Sequence, residues 1–143
     1  MRRHVVTLAI TATVVLATSI AFAVPGDLDT TFGGGDGKVT TDFDADVALY
    51  DAARDVAAAP GGRIVAVGVG QAPNYDFAIA RYLPNGDLDT SFGGDGKVTT
   101  DFFGQPDWAY AVEILPDGKI LVVGSARSAD NSDDFFALAR YRT

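Results

Sequence analysis

The sequence contains no cysteine, and its one histidine (His4) and one methionine (Met1) lie within the first four residues. Lack of cysteine removes any disulfide framework, thiol nucleophile, thiolate zinc site or thiol-borne lipid anchor. Lack of histidine beyond His4 removes Ser-His-Asp and Cys-His catalysis and nearly all zinc chemistry from the rest of the chain. Glutamate is almost missing too, Glu113 being the only one, so any acid–base work would fall to aspartates. Ser91, Ser125, Ser128 and Ser132 have no histidine to activate them, and no Gly-x-Ser-x-Gly elbow is present. Gly33-Gly34-Gly35 lacks both the spacing of a phosphate-binding loop and a following helix pattern. No residue is therefore assigned as catalytic or cofactor-binding.

Basic residues are scarce as well: 11 Lys and Arg stand against 19 Asp and Glu, a formal charge of −8. Two of the eleven, Arg2 and Arg3, open the chain ahead of an apolar-and-threonine run from Val5 to Ile20 and a small-x-small step at Ala21-Phe22-Ala23. This is the layout of a secretory signal peptide over residues 1–23, cleaved to leave Val24 at the new N-terminus. The run is shorter than the roughly 20 residues a membrane span needs, and no charged stop follows. His4 and Val5 follow the arginines where a twin-arginine signal wants other residues, so general secretion is expected, with a secreted, extracellular or periplasmic destination. Removing the leader leaves nine basic against nineteen acidic residues. Such a balance argues against nucleic acid and anionic membrane surfaces as partners, because both require basic side chains to neutralise phosphate. The remaining length can bury one modest core.

What the sequence does have is an internal repeat. Gly26-Asp-Leu-Asp-Thr-Thr-Phe-Gly-Gly returns as Gly86-Asp-Leu-Asp-Thr-Ser-Phe-Gly-Gly, and Asp36-Gly-Lys-Val-Thr-Thr-Asp-Phe43 returns as Asp95 to Phe102. Pro60-Gly-Gly-Arg-Ile-Val-Ala-Val-Gly68 matches Pro116-Asp-Gly-Lys-Ile-Leu-Val-Val-Gly124, and Phe77-Ala-Ile-Ala-Arg-Tyr82 matches Phe136-Ala-Leu-Ala-Arg-Tyr141. Length differences fall between these blocks, where loops belong. The first copy spans about 26–85 and the second about 86–143.

Each copy reads as four short strands. In the second, Lys97 to Phe102 alternates with Val98, Thr100 and Phe102 on one face, and Tyr110 to Leu115 alternates with Tyr110, Val112 and Ile114 on one face. Lys119 to Gly124 is almost wholly apolar, as suits a strand covered on both sides. Phe136 to Tyr141 places Phe136, Leu138 and Arg140 opposite Ala137, Ala139 and Tyr141. Leu115-Pro-Asp-Gly118 carries hairpin chemistry, proline presetting the first turn dihedral and Gly118, like Gly62, taking a positive φ. Asp51 to Ala59 has the alanine content of a helix, but its register with the second copy favours a strand.

The blocks GDLDTSFGGDGKVTTDF, LPDGKILVVG and FALARY resemble the delta-60 repeat, found in tandem in large secreted or cell-surface bacterial proteins, over essentially all of Pro25 to Thr143. The resemblance implies an all-β fold of two four-stranded antiparallel, blade-like repeats, β-propeller-like but with an incomplete ring, and it implies no activity. Propellers close with about four to eight blades. Two copies therefore leave three arrangements open: blades packed face to face, several chains completing a ring, or a remnant of a longer array.

Few residues stand out as a site. Asp27, Asp29 and Asp36, and their repeats Asp87, Asp89 and Asp95, sit among glycines; they are the candidate calcium ligands, since calcium takes oxygen donors from acidic turns. Their spacing matches no EF-hand or nonapeptide repeat, and closing Asx-turns is the stronger reading. Asp130, Asp133 and Asp134 form a second acidic loop. Arg81 and Arg140 lie on apolar strand faces where a lone charge is unfavourable, so each is expected to fork onto one of the repeated aspartates as a structural residue. Trp108, with Tyr110 and Phe103, could stack on a sugar, though inter-blade packing is the stronger role. The expected function is an exported, non-catalytic β-repeat module offering a binding, adhesion or scaffold surface to a protein or glycan, with homo-oligomers or further repeats as completing partners. The alternatives are a secreted hydrolase fragment using aspartates or a calcium-stabilised repeat.

Overall fold

The computed structural model describes residues 24–44, 50–71 and 74–143. The segment read as an export signal and most of the divergent loop before Tyr50 lie outside them. Seven strands form two antiparallel sheets, and no α-helix occurs among the described residues. The first sheet has the order β1 (Ala52–Ala59), β2 (Arg63–Gln71), β3 (Tyr75–Tyr82), β4 (Lys97–Thr100). The second has β5 (Asp107–Ile114), β6 (Ile120–Arg127), β7 (Asp134–Tyr141).

The alanine-rich stretch is strand from Ala52 to Ala59, because pairing with the valines of β2 and half-burial of one face outweigh a helix propensity of a few tenths of a kcal/mol per residue. Each sheet carries a bulge in its first strand, between Ala53 and Asp55 and between Ala109 and Ala111. The second bulge throws Tyr110 out to solvent and reverses the alternation before it, so that Ala109, not Tyr110, shares the core with Val112 and Ile114. A glycine faces each bulge for a steric reason: a Cβ on Gly68 or Gly124 would sit 1.9 Å from the carbonyl oxygen of Ala52 or Trp108.

The sheets pack on one core, to which Val65, Val67, Phe77 and Ile79 contribute from the first and Ala109, Ile120, Val122 and Ala137 from the second. Phe92 closes it from the connecting turn. Burial of Phe77 and Ile79 stabilises by roughly 1.5–3 kcal/mol each. Phe102, just after β4, packs edge-on against Phe77 with ring centroids 5.1 Å apart, and Asp55 of the first bulge accepts a hydrogen bond from the Val112 amide of β5 at 2.8 Å.

The two four-stranded blades expected from the repeat need correction. Sheets and repeats are out of phase: β4, from the start of the second repeat, pairs with β3, in the first. Its counterpart Lys38–Thr41 is in no strand, and the second sheet has three strands, with β7 at an open edge. The cause is that a Gly-Lys-Val-Thr-Thr block completes the sheet of the repeat before it. In the first sheet the Phe77 and Ile79 side chains are 0 % exposed, whereas their counterparts Phe136 and Leu138 are 99 % and 60 % exposed.

Candidate functional site

The Gly-Asp-Leu-Asp turn of the second repeat brings together charges from three elements. Asp89 Oδ2 accepts from Arg63 Nε at 2.8 Å and from Arg81 Nε at 3.0 Å, while Oδ1 accepts from the Ser91 amide at 3.1 Å and its hydroxyl. Arg81 also donates to Ser91 Oγ at 2.9 Å and stacks over Phe92, 4.7 Å from the ring centroid. Hydrogen bonds from Ser91 and Arg63, helped by the Arg81 charge, hold the Asp89 carboxyl well below the usual carboxylate range. An open cavity of about 280 Å³ lies beside this cluster, lined in part by Arg63, Arg81, Ser91 and Thr143. Arg140 differs from Arg81: it is exposed and has no hydrogen bond or ion pair among the described residues, acting only through space on Asp117.

The other repeated aspartates serve local turns. Asp29 accepts from the amide and hydroxyl of Thr31, Asp36 and Asp95 accept from the amides of Lys38 and Lys97, Asp27 accepts from the Val24 nitrogen, and Asp87 pairs with Asn85. No three of the six are gathered within reach of one ion among the described residues. Gly118 and Gly62 hold positive φ, 85° and 73°, at their turns. In the second acidic loop Asp130 accepts from Ser128 and Ser132, and Asp134 pairs bidentately with Arg127 at 2.9 and 3.1 Å. The Arg127 guanidinium in turn lies over the Trp108 ring, 5.7 Å from its centroid.

A different acidic group is assembled at the junction of the repeats. Asp76 at the start of β3, Asp101 after β4 and Asp107 at the start of β5 each place a carboxylate oxygen within 4.8 Å of the other two. Asp76 and Asp107 are 4 % and 0 % exposed, and one oxygen of each is buried without a hydrogen-bond partner. Burial, reinforced by the charges of Asp101 and Asp107, pushes Asp76 up to about 6. Burial raises Asp107 as well, against the opposing amides of Phe102 and Arg127. The sequence reading missed this group; its available signal was a single aspartate, Asp76, inside the otherwise uncharged run Tyr75 to Ala80.

A third feature is an open cleft of about 320 Å³ on the outer face of the first sheet, between Val39, Thr41 and Phe43 and the small residues Ala66, Gly68, Ala78 and Ala80. Thr41 and Tyr82 hydroxyls meet across it at 2.6 Å, as Thr100 and Tyr141 do at 2.8 Å in the second repeat. In the second repeat the equivalent place is filled: Phe77 lies against Gly124 and Phe102.

No helix among the described residues is long and apolar enough to cross a membrane. No curated protein and no solved structure matches the chain. The model of a family described as a domain of unknown function (DUF5122), beta-propeller, matches residues 60–92 and 115–143, covering the second half of each repeat and, after the first, the opening Gly86 to Phe92 of the next, and supports a propeller-like repeat architecture.

Proposed function

We propose that the chain is an exported, non-catalytic scaffold module of the delta-60 type, whose two blade-like sheets assemble head to tail with those of other copies into a propeller-like ring. The observation that carries this reading is the fit between two surfaces of one chain. Leu121, Val123, Phe136 and Leu138 on the outer face of the second sheet correspond by repeat to Val65, Val67, Phe77 and Ile79, which are at most 1 % exposed between the sheets. The cleft lined by Gly68 and Phe43 corresponds to the place, beside Gly124 and Phe102, where Phe77 is seated. Phe136 of one copy therefore has a receptor in the next. The backbone carries the same message: by analogy with the pairing of Phe77 to Ala80 with Thr100 to Lys97, Phe136 to Ala139 would pair with Thr41 to Lys38 and cover an edge that is otherwise open to misassociation.

Measuring the mass of the purified protein by light scattering after size exclusion tests this. Assemblies of two to four chains are expected, with Phe136→Asp reducing them to monomers while the circular dichroism of the fold is kept. A wild-type protein that stays monomeric at its highest soluble concentration would overturn the reading.

A further inference from the structure

We propose that Asp76, Asp101 and Asp107 form a calcium site that clamps the first sheet to the second at the junction of the repeats. Two oxygens bound to one calcium at about 2.3–2.6 Å lie at most about 5 Å apart, and the three carboxylate oxygens are all within 4.8 Å of one another. Three negative charges converge there with no ion pair to a basic side chain among the described residues. Two of these carboxylates are almost wholly buried, and each has an oxygen with no hydrogen-bond partner. A buried, unpaired carboxylate is among the costliest groups a fold can hold, and coordination of a cation is one of the few arrangements that offsets it.

The rest of the surroundings orients these groups. The Phe102 amide donates to Asp107 Oδ2 at 2.8 Å, and the Gly104 amide donates to Asp101 Oδ1 at 2.6 Å. Asn74 Nδ2 donates to the Gly104 carbonyl at 3.1 Å, drawing the loop after β4 toward the start of β3. The donor set is all oxygen and lacks nitrogen and sulfur, which selects a hard cation over zinc or copper. Calcium fits better than magnesium, because magnesium keeps most of its waters and demands octahedral geometry, whereas a mostly buried set of three carboxylates replaces waters and tolerates irregular coordination.

The site belongs to this junction alone. Asp101 and Asp107 correspond to Asp42 and Asp51 in the first repeat, but Asp76 corresponds to Phe135 in the second. A head-to-tail contact would thus bring Phe135, not an aspartate, to Asp42 and Asp51. One calcium per chain is expected whatever the oligomeric state, so this inference stands or falls independently of the assembly.

The test is calorimetric titration of chelator-treated protein with calcium chloride, alongside thermal unfolding in calcium, in magnesium and in chelator. A saturable heat at one calcium per chain and a midpoint raised by several degrees are expected, with a smaller shift in magnesium. Asp101→Asn, on an exposed residue whose Gly104 contact asparagine can keep, should weaken binding at least tenfold, whereas Asp95→Asn in the repeated turn should leave it unchanged. Asp76→Asn should raise the calcium-free midpoint, by removing a like charge, and abolish the calcium response. Absence of saturable heat, or full binding by Asp101→Asn, would overturn the assignment. A protein whose junction is stabilised by acidification but not by calcium would show that the two buried carboxyls share a proton instead.

Discussion

Asp89 accepts four hydrogen bonds from Arg63, Arg81 and Ser91, and its environment shapes how the protein meets acid. Its carboxyl is held below the usual range by Ser91, Arg63 and Arg81, whereas in the unfolded chain it titrates near an ordinary value of about 3.9. A group whose folded value is depressed binds more protons when unfolded, so its contribution is fully present above about pH 4 and is lost as pH falls through the folded value. Acid unfolding of the wild type followed by circular dichroism should therefore steepen below about pH 4. Asp89→Asn should lower the midpoint at neutral pH and flatten that acid limb. An acid limb identical in wild type and Asp89→Asn would mean that the ion pairs with Arg63 and Arg81 contribute nothing to folding.

At the scale of elements, the bulge and its facing glycine decide how the two sheets approach. Gly124 lies opposite the bulge of β5 and beneath Phe77, and a Cβ there would stand 1.9 Å from the Trp108 carbonyl oxygen and 2.8 Å from Phe77 Cζ. Gly124→Ala must therefore displace either a strand or the core ring, at a cost on the order of 1–3 kcal/mol, visible as a lower denaturant midpoint. Alanine at the exposed Gly94, where nothing lies within 4 Å, meets no such obstacle, though its φ of 95° carries strain of its own. The strands were legible from alternation, from turns such as Leu115-Pro-Asp-Gly118 and from the repeat, since each of these is a local signal. The bulges were not, because one extra residue in a strand of alternating small side chains leaves no mark on the pattern until its partner strand is known. The pairing of β4 with β3 was illegible for a related reason: a repeat in sequence defines the period of a structure but not the phase at which sheets begin and end. The junction carboxylates come from elements that only this phase brings together, so Asp76, Asp101 and Asp107 carried no common signature in the chain.

For the whole molecule, the proposed assembly would use that phase shift to make each chain a donor at one end and an acceptor at the other. A contact between two different patches closes into a ring when the rotation per chain permits and otherwise runs on as a filament. With two blade-like sheets per chain and about four to eight blades in known propellers, closure needs two to four chains. The directional nature of the contact can be tested with one-sided variants. Phe136→Asp blocks the acceptor sheet and leaves Lys38–Thr41 intact, while Thr40→Pro disables strand donation and leaves Phe136 and Leu138 intact. Each variant alone should be a monomer, since every contact needs one patch of each kind. Mixed in equal amounts they should form a complex of two chains and no larger, because the only functional pair joins the Thr40→Pro chain's second sheet to the Phe136→Asp chain's first block, and both remaining ends are blocked. A contact between identical patches predicts the opposite, with no gain on mixing. Native mass spectrometry of the mixture, with one variant isotopically labelled, separates the two, and a failure to form the mixed dimer while each variant remains folded would rule out head-to-tail assembly.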